Sequence, residues 1–254
     1  MDSRESKRER YTTHGGVIVD REVRTSKSEG ALDGIIAALD GARGAVLTSG
    51  FEVPGRYARF DLGFVAPPLV IEASGHDVEI RAENGRGLVL LPAIARLVAS
   101  HEDVASFSAY SDRVRARVRP AEDDHPEETR TRRPSAFTLL RSLIGLFASP
   151  EDPHLGLYGA IGYDAVLAME PLERRHPRDA RAKDVVLYLP DELVIVDHVR
   201  GSAELRRYDF VVNGQGTHAF AREAKPTHGR HEVEEGVVSD PDPEIFRASV
   251  RDAL

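Results

Sequence analysis

The chain has no cysteine, and that absence removes disulfide frameworks and thiolate chemistry together. Lysine is scarce: it occurs only at Lys7, Lys27, Lys183 and Lys225, so nearly all cationic side chains are arginine. No apolar run approaches the ~20 residues that a membrane-spanning helix needs. The opening stretch MDSRESKRERYTTHGG has no apolar segment of the signal-peptide kind, so the cytoplasm is the expected location. Positive charge is not in excess either. The formal net charge is −8, which gives no reason to expect nucleic acid or an anionic membrane as partner. What is present is 254 residues, 41% hydrophobic and 30% charged, enough apolar material for a sizeable core in one large domain or two small ones.

Patterning along the chain predicts an α+β protein, its antiparallel sheets packed face to face with flanking helices. Residues 1–14 read as a disordered leader. Gly16 to Val19 and Val23 suggest a short strand. Asp33 to Leu39 fits a helix with Leu32, Ile35, Ile36 and Leu39 on one face. Ala45 to Leu47 reads as a buried strand. Leu69 to Ala73, Val78 to Ala82 and Leu88 to Leu91 read as a meander with turns at Ser74–Asp77 and Glu83–Gly85, followed by a short helix from Pro92 to Ser100. Arg113 to Arg119 alternates with period 2. It has no aromatic residue to stack on bases, so it is expected to be a half-buried strand with a solvated arginine face. Pro134-Ser135 opens a helix whose face is Phe137, Leu140, Ile144 and Phe147, with Ser135 as cap. Val185 to Leu189 and Leu193 to Asp197 are strands around a Pro190-Asp191 turn, and Leu205 to Val212 is another. Residues 123–133 read as a charged loop and residues 224–242 as a linker. A helix beginning at Pro243 with Ile245, Phe246 and Val250 on its face reads as broken off, which leads us to expect the front part of a longer protein.

The chemistry-bearing motifs are sparse. Gly156, Gly159 and Gly162 are spaced i, i+3, i+6, which is not a dinucleotide fingerprint; close backbone packing in a strand or bend accounts for it. His228 and His231 have a metal-like interval without a third ligand. His198, at a strand end, is a possible base and more commonly a loop residue. No Ser-His-Asp or phosphate-loop signature occurs. The residues therefore predict no catalytic centre and no metal site in this chain.

A resemblance enters at Thr48 to Asp61, "TSGFEVPGRYARFD", with Val65, Pro67, Pro68 and Leu69 after it. This stretch resembles the front of anthranilate synthase component I in its form fused to a glutamine amidotransferase. Arg133 to Phe137, Glu151 to Asp164 and "DVVLYLPDELVIVD" (residues 184–197) look like further blocks of that family. The resemblance implies a regulatory N-terminal domain over residues 15–223 and a truncated first helix of the chorismate-binding domain at residues 243–254. It also implies an enzyme that makes anthranilate and pyruvate from chorismate and glutamine-derived ammonia, as the first committed step to tryptophan. Catalytic residues and the ligands of Mg2+ are implied to lie outside this chain, in the chorismate-binding and amidotransferase parts that are its expected partners. Homo-oligomerisation of the full-length enzyme is also possible by this likeness.

For this chain the resemblance implies feedback inhibition by tryptophan. The family's effector motif, Leu-Leu-Glu-Ser, reads Val46-Leu47-Thr48-Ser49 here, and Arg56 falls where a cation is often found. The expected tryptophan contacts are Leu47, Thr48, Ser49 and Arg56. By residue chemistry alone, Ser49 also suits capping of loop backbone groups and Arg56 suits pairing with Glu52 or Asp61. Two other functions remain open at this point: a non-catalytic amino-acid-binding or interaction module, and a related enzyme making aminodeoxychorismate or isochorismate.

Overall fold

In the computed structural model, residues 6–48, 59–120, 133–168, 182–224 and 242–252 are described. The expected linker lies almost wholly outside them, as does the charged loop at residues 123–133 except for its last residue.

The first correction comes at the N-terminus, where the expected disordered leader is a strand from Ser6 onward. Strand β1 (Ser6–Thr12) forms a hairpin with β2 (Ile18–Lys27). Its charges, which suggested disorder, match rung by rung: Arg8 stands opposite Glu22, Glu9 opposite Arg21 and Arg10 opposite Asp20. Cross-strand charge pairs stabilise a ladder, and Tyr11 and Thr13 at its end are buried.

The hairpin begins a seven-stranded antiparallel sheet. Its order is β1, β2, β12 (Ser202–Val212), β11 (Glu192–Asp197), β4 (Phe60–Val65) and β3 (Gly44–Leu47), with β13 (Gln215–Gly216) also on β12. The second sheet runs β7 (Val104–Ala109), β8 (Arg113–Val118), β6 (Asp77–Ala82), β5 (Leu69–Ser74), β10 (Val185–Leu189) and β9 (Tyr158–Ile161). The Pro190-Asp191 turn lies where expected. It joins strands of different sheets, however, and so carries the chain from one layer to the other.

The expected third strand of the meander is absent, because Leu88 to Leu91 belong to helix α2 (Gly85–Ser100). Asn84 caps it: its side-chain oxygen accepts from the backbone N–H groups of Arg86 and Gly87, both at 3.1 Å. Pro92 sits inside the helix. The carbonyl that its missing N–H leaves free belongs to Leu88, and both residues are on the exposed side where water reaches them. The helix contacts β6, β7 and β8 of one sheet and β12 of the other. Burial on two sides gives the continuous apolar run that imitates a strand.

Helix α3 (Ala136–Phe147) packs on α2. Its buried residues include Leu139, Leu143 and Leu146 besides the expected Leu140 and Phe147. Ile144, expected inside, is 45% exposed. Ser135 occupies the cap position but makes no side-chain cap bond.

In β8 the alternation is as expected. Val114, Ala116 and Val118 are buried, while Arg115 and Arg117 meet Glu79 at 2.6 Å and Asp77 at 2.9 Å on β6. The arginine face is thus neutralised by its neighbouring strand. Of the glycine-spaced run, Gly159 alone shows the close backbone packing that was expected: a Cβ there would lie 2.1 Å from the Val186 carbonyl oxygen, whereas one on Gly156 would meet nothing within 4 Å. Gly159→Ala is expected to destabilise the chain by about 1–3 kcal/mol through this overpacking, read as a lower midpoint in urea. A midpoint equal to the parent's would show that β9 relaxes freely.

One large core cluster joins α2 and α3 to both sheets through residues such as Ile71, Ile80, Leu90, Leu139 and Phe210. A smaller cluster of Phe64, Leu193 and Ile195 lies against Tyr158 and Tyr188. Another, Leu32, Val196 and Ala203, sits beside the short helix α1 (Asp33–Ala38). The terminal helix α4 (Pro243–Asp252) is exposed along its described length, including Ile245, Phe246 and Val250.

Candidate functional site

Strand β3 ends the larger sheet, pairing antiparallel with β4 from Gly44↔Val65 to Leu47↔Leu62. β4 is held in turn by β11, with Val196 opposite Asp61 and Val194 opposite Gly63. Strand alternation therefore sorts the side chains at this corner onto two faces. Val46, Gly63, Val194 and Val196 share the face covered by α1. A Cβ on Gly63 would lie 2.7 Å from Leu32 Cδ2, so glycine is what lets the helix approach. Ala45, Leu62, Phe64 and Leu193 share the opposite face, packed toward Tyr158 and Tyr188.

The expected tryptophan contacts fall on this corner as follows. Leu47 is the last residue of β3 and is 42% exposed, an apolar side chain left open at a strand end. Thr48 follows it and is exposed. By alternation Leu47 belongs with the Leu62 face and Thr48 with the face of Val46 and α1. Ser49 and Arg56 lie outside the described residues, as do Glu52 and the Pro54-Gly55 turn.

Beyond the ladder, two polar pairs organise the strand ends. His198 Nε2 and Asp61 Oδ2 are 2.7 Å apart, with Asp61 19% and His198 46% exposed at the side chain. Arg59 lies over the Phe60 ring, 4.7 Å from its centroid, and its Nη2 donates to Asp197 Oδ2 at 3.0 Å. Asp197 also accepts from the backbone N–H groups of Val199 and Arg200. The Arg59 guanidinium first, and those amides after it, hold the Asp197 carboxyl below its usual range.

Two features of this corner escaped the sequence reading. Asp61 was offered as a partner for Arg56, and His198 as an isolated strand-end residue. The structure joins them across 137 positions of sequence, and the pairing of β4 with β11 is what does so. Alternation puts Leu47 on one face of these strand ends and Thr48 and Asp61 on the other. Among the described residues no group of three His, Asp or Glu side chains gathers to hold a metal ion, so they offer no fit for magnesium.

No protein-family model matches the chain. It is similar to an anthranilate synthase of Azospirillum brasilense, 44% identical over 209 residues, which are 82% of this chain and 28% of the relative. It is 33% identical over 176 residues to anthranilate synthase component 1 of Serratia marcescens, covering 66% of this chain and 32% of that protein. A pyocyanine-specific anthranilate synthase component 1 of Pseudomonas aeruginosa is 28% identical over 160 residues, 62% of this chain and 29% of its own length. The chain thus has homologues among the anthranilate synthases over most of its length, and it spans roughly a third or less of each relative.

Proposed function

We propose that this chain, whose homologues are anthranilate synthases, is the tryptophan-sensing regulatory segment of such an enzyme, of the type fused to a glutamine amidotransferase. The parent converts chorismate, with ammonia taken from glutamine, to anthranilate and pyruvate. Magnesium and the reacting groups belong to parts outside this chain. The observation that carries the reading is the end of β3, where the apolar Leu47 is 42% exposed and the hydroxyl-bearing Thr48 follows it, also exposed. An amino acid with a large apolar side chain needs an apolar surface with polar groups near it.

Inhibition follows as a coupling between sites. Tryptophan bound at the β3 end favours a state in which the regulatory and chorismate-binding parts sit unproductively, and by linkage chorismate weakens tryptophan binding by the same factor. The test is titration of the full-length enzyme with tryptophan. Because the chain contains no tryptophan residue, this segment adds no indole emission to that of the bound ligand. Calorimetry on the parent and on Ser49→Phe is expected to show binding in the first and a loss of at least about 10-fold in affinity, near 1.4 kcal/mol, in the second. Equal affinities refute the assignment. The fused arrangement is checked separately, by reading the coding sequence beyond Leu254 for chorismate-binding and amidotransferase regions.

A further inference from the structure

We propose that the groove between α2, α3 and the turns that close the β1–β2 and β12–β13 hairpins binds a small organic carboxylate with an apolar body. This site is separate from the β3 end, and every residue that lines it is described. The groove encloses about 660 Å³, within the size range of small-molecule sites. Val17, Leu97, Leu146 and Val212 supply its apolar lining, while Arg96, His14 and Ser142 bring polar hydrogens; no aspartate or glutamate lines it. In a chain of net charge −8 that is distinctive. Two grooves of similar size on the sheets carry both signs: Arg10 pairs with Asp20 in one, and Arg115 with Glu79 and Arg117 with Asp77 in the other. A partly apolar cleft with cations and no acid attracts an anion.

The donors are held in place without being neutralised. Arg96 Nε donates to the Pro92 carbonyl at 3.3 Å, and Nη2 to Asn213 Oδ1 at 3.0 Å. Asn213 and Gly214 both have positive φ, 52° and 81°, and form the two-residue turn between β12 and β13. Both acceptors of Arg96 are uncharged, and among the described residues its Nη1 donates to nothing. A guanidinium fork matches a carboxylate. Ser142 adds a hydroxyl. The Asp103 backbone N–H donates to His101 Nδ1 at 3.2 Å, so the proton of the neutral ring sits on Nε2, which donates to Ser142 Oγ at 3.1 Å. The Ser142 hydrogen is thereby left for another acceptor. The opposite wall is tied down: Thr13 Oγ1 donates to the Leu146 carbonyl and the His14 backbone N–H to the Ala148 carbonyl, both at 2.8 Å. Gly145 of α3 also lines the groove, and a Cβ there would meet nothing within 4 Å. Packing does not require this poor helix former, and its bare backbone leaves the groove open.

Two probes separate charge from apolar contact: phenylpropionate and its neutral amide, phenylpropanamide. Calorimetry on the full-length enzyme is expected to show the acid bound about 10-fold or more tighter than the amide, the scale of a hydrogen bond to a charged group. Arg96→Gln is expected to remove that preference. Gly145→Leu is expected to lose the groove's binding of both probes, with a urea midpoint no lower than the parent's, since leucine is the better helix former. Should that midpoint fall, Arg96→Gln at its exposed position decides alone. A parent without preference for the acid overturns the proposal, and so does a preference that survives Arg96→Gln. Parent-like binding in Gly145→Leu overturns it by placing the probes elsewhere. A parent that ignores phenylpropionate but binds a peptide through its free C-terminal carboxylate also overturns it, in favour of a protein terminus.

Discussion

Replacing Arg86 with methionine is expected to cost about 3–5 kcal/mol of folding stability, the range found when one partner of a buried ion pair is removed. Arg86 is 1% exposed, in the first turn of α2. Its Nε donates to Asp191, at the turn between the two sheets. Nη1 donates to the Thr217 carbonyl at 2.8 Å, and Nη2 to the Tyr208 carbonyl at 2.8 Å and to Asp209 Oδ1 at 2.7 Å. One planar fork therefore fastens the helix to the inter-sheet turn, to β12 and to the segment after β13. Methionine fills much of the volume and makes none of these bonds. Among the described residues the one cation left to Asp191, whose side chain is 2% exposed, is the Arg222 guanidinium, with Nε at 3.5 Å. Burial pushes the Asp191 carboxyl up against the pull of Arg86 and Arg222, so without Arg86 it is expected to take up a proton. Lysine, a point charge without the fork, is expected to recover only part of the loss. Urea denaturation at neutral pH measures both variants. Arg86→Met combined with Asp191→Asn is expected to be less destabilised than the sum of the single changes. A loss below about 1 kcal/mol for Arg86→Met would place this pair with weak surface pairs and refute its central role.

Arg86 also shows what the sequence conceals. Nothing within ten positions of it says that Asp191 and Asp209 will close over it. Local periodicity located β8, which buries one face in the period of its backbone, and apolar runs located β10 and β11; α1 lies where expected, but none of its residues is buried and Ile36, expected on its apolar face, is 54% exposed. Periodicity failed for α2, whose burial against two sheets removes the polar stripe that marks a helix. It failed for β1, where the ladder is matched by charge and not by apolar alternation. The apolar runs placed β10 and β11 correctly as strands, but which sheet each joins is decided by partners more than a hundred residues away, β5 and β4. The candidate site divides in the same way. Leu47 and Thr48 were named through a local motif that resembles the family's, whereas the Asp61–His198 pair exists only through the register of β4 on β11.

The second large effect is expected at Asp152, and acid is the way to see it. Its side chain has no exposed surface. Arg21 Nη1 lies 2.8 Å from one oxygen and Arg206 Nη1 3.0 Å from the other. The Tyr11 hydroxyl at 3.3 Å and the His154 backbone N–H at 2.9 Å complete the site. Asp152 thereby joins the segment before β9 to β2 and β12. Burial raises its carboxyl, but the Arg21 hydrogen bond, the His154 amide and the Arg206 charge together outweigh burial and hold it below the usual range. The sign follows from linkage. Between the folded and unfolded values the unfolded chain binds the extra proton, so stability falls as pH falls. The contribution is complete above the unfolded aspartate value of about 3.9 and disappears as pH drops through the folded one. Asp152→Asn is expected to cost about 3 kcal/mol at neutral pH, since two largely buried guanidinium groups lose the carboxylate they share, Arg21 being left with Glu9 and Arg206 with Glu204 among the described residues. Glu9, Glu22, Glu79 and Asp197 are also held low by arginine or lysine partners, so the acid sensitivity of the parent alone does not isolate Asp152. The difference between parent and variant does. Urea midpoints are expected to differ by a constant amount above about pH 5, to begin converging below about pH 4, and to meet only below the folded value, once both proteins carry a neutral group at position 152. A difference that persists undiminished to pH 3 would mean that the asparagine amide fails by shape, and that charge was not what held this corner together.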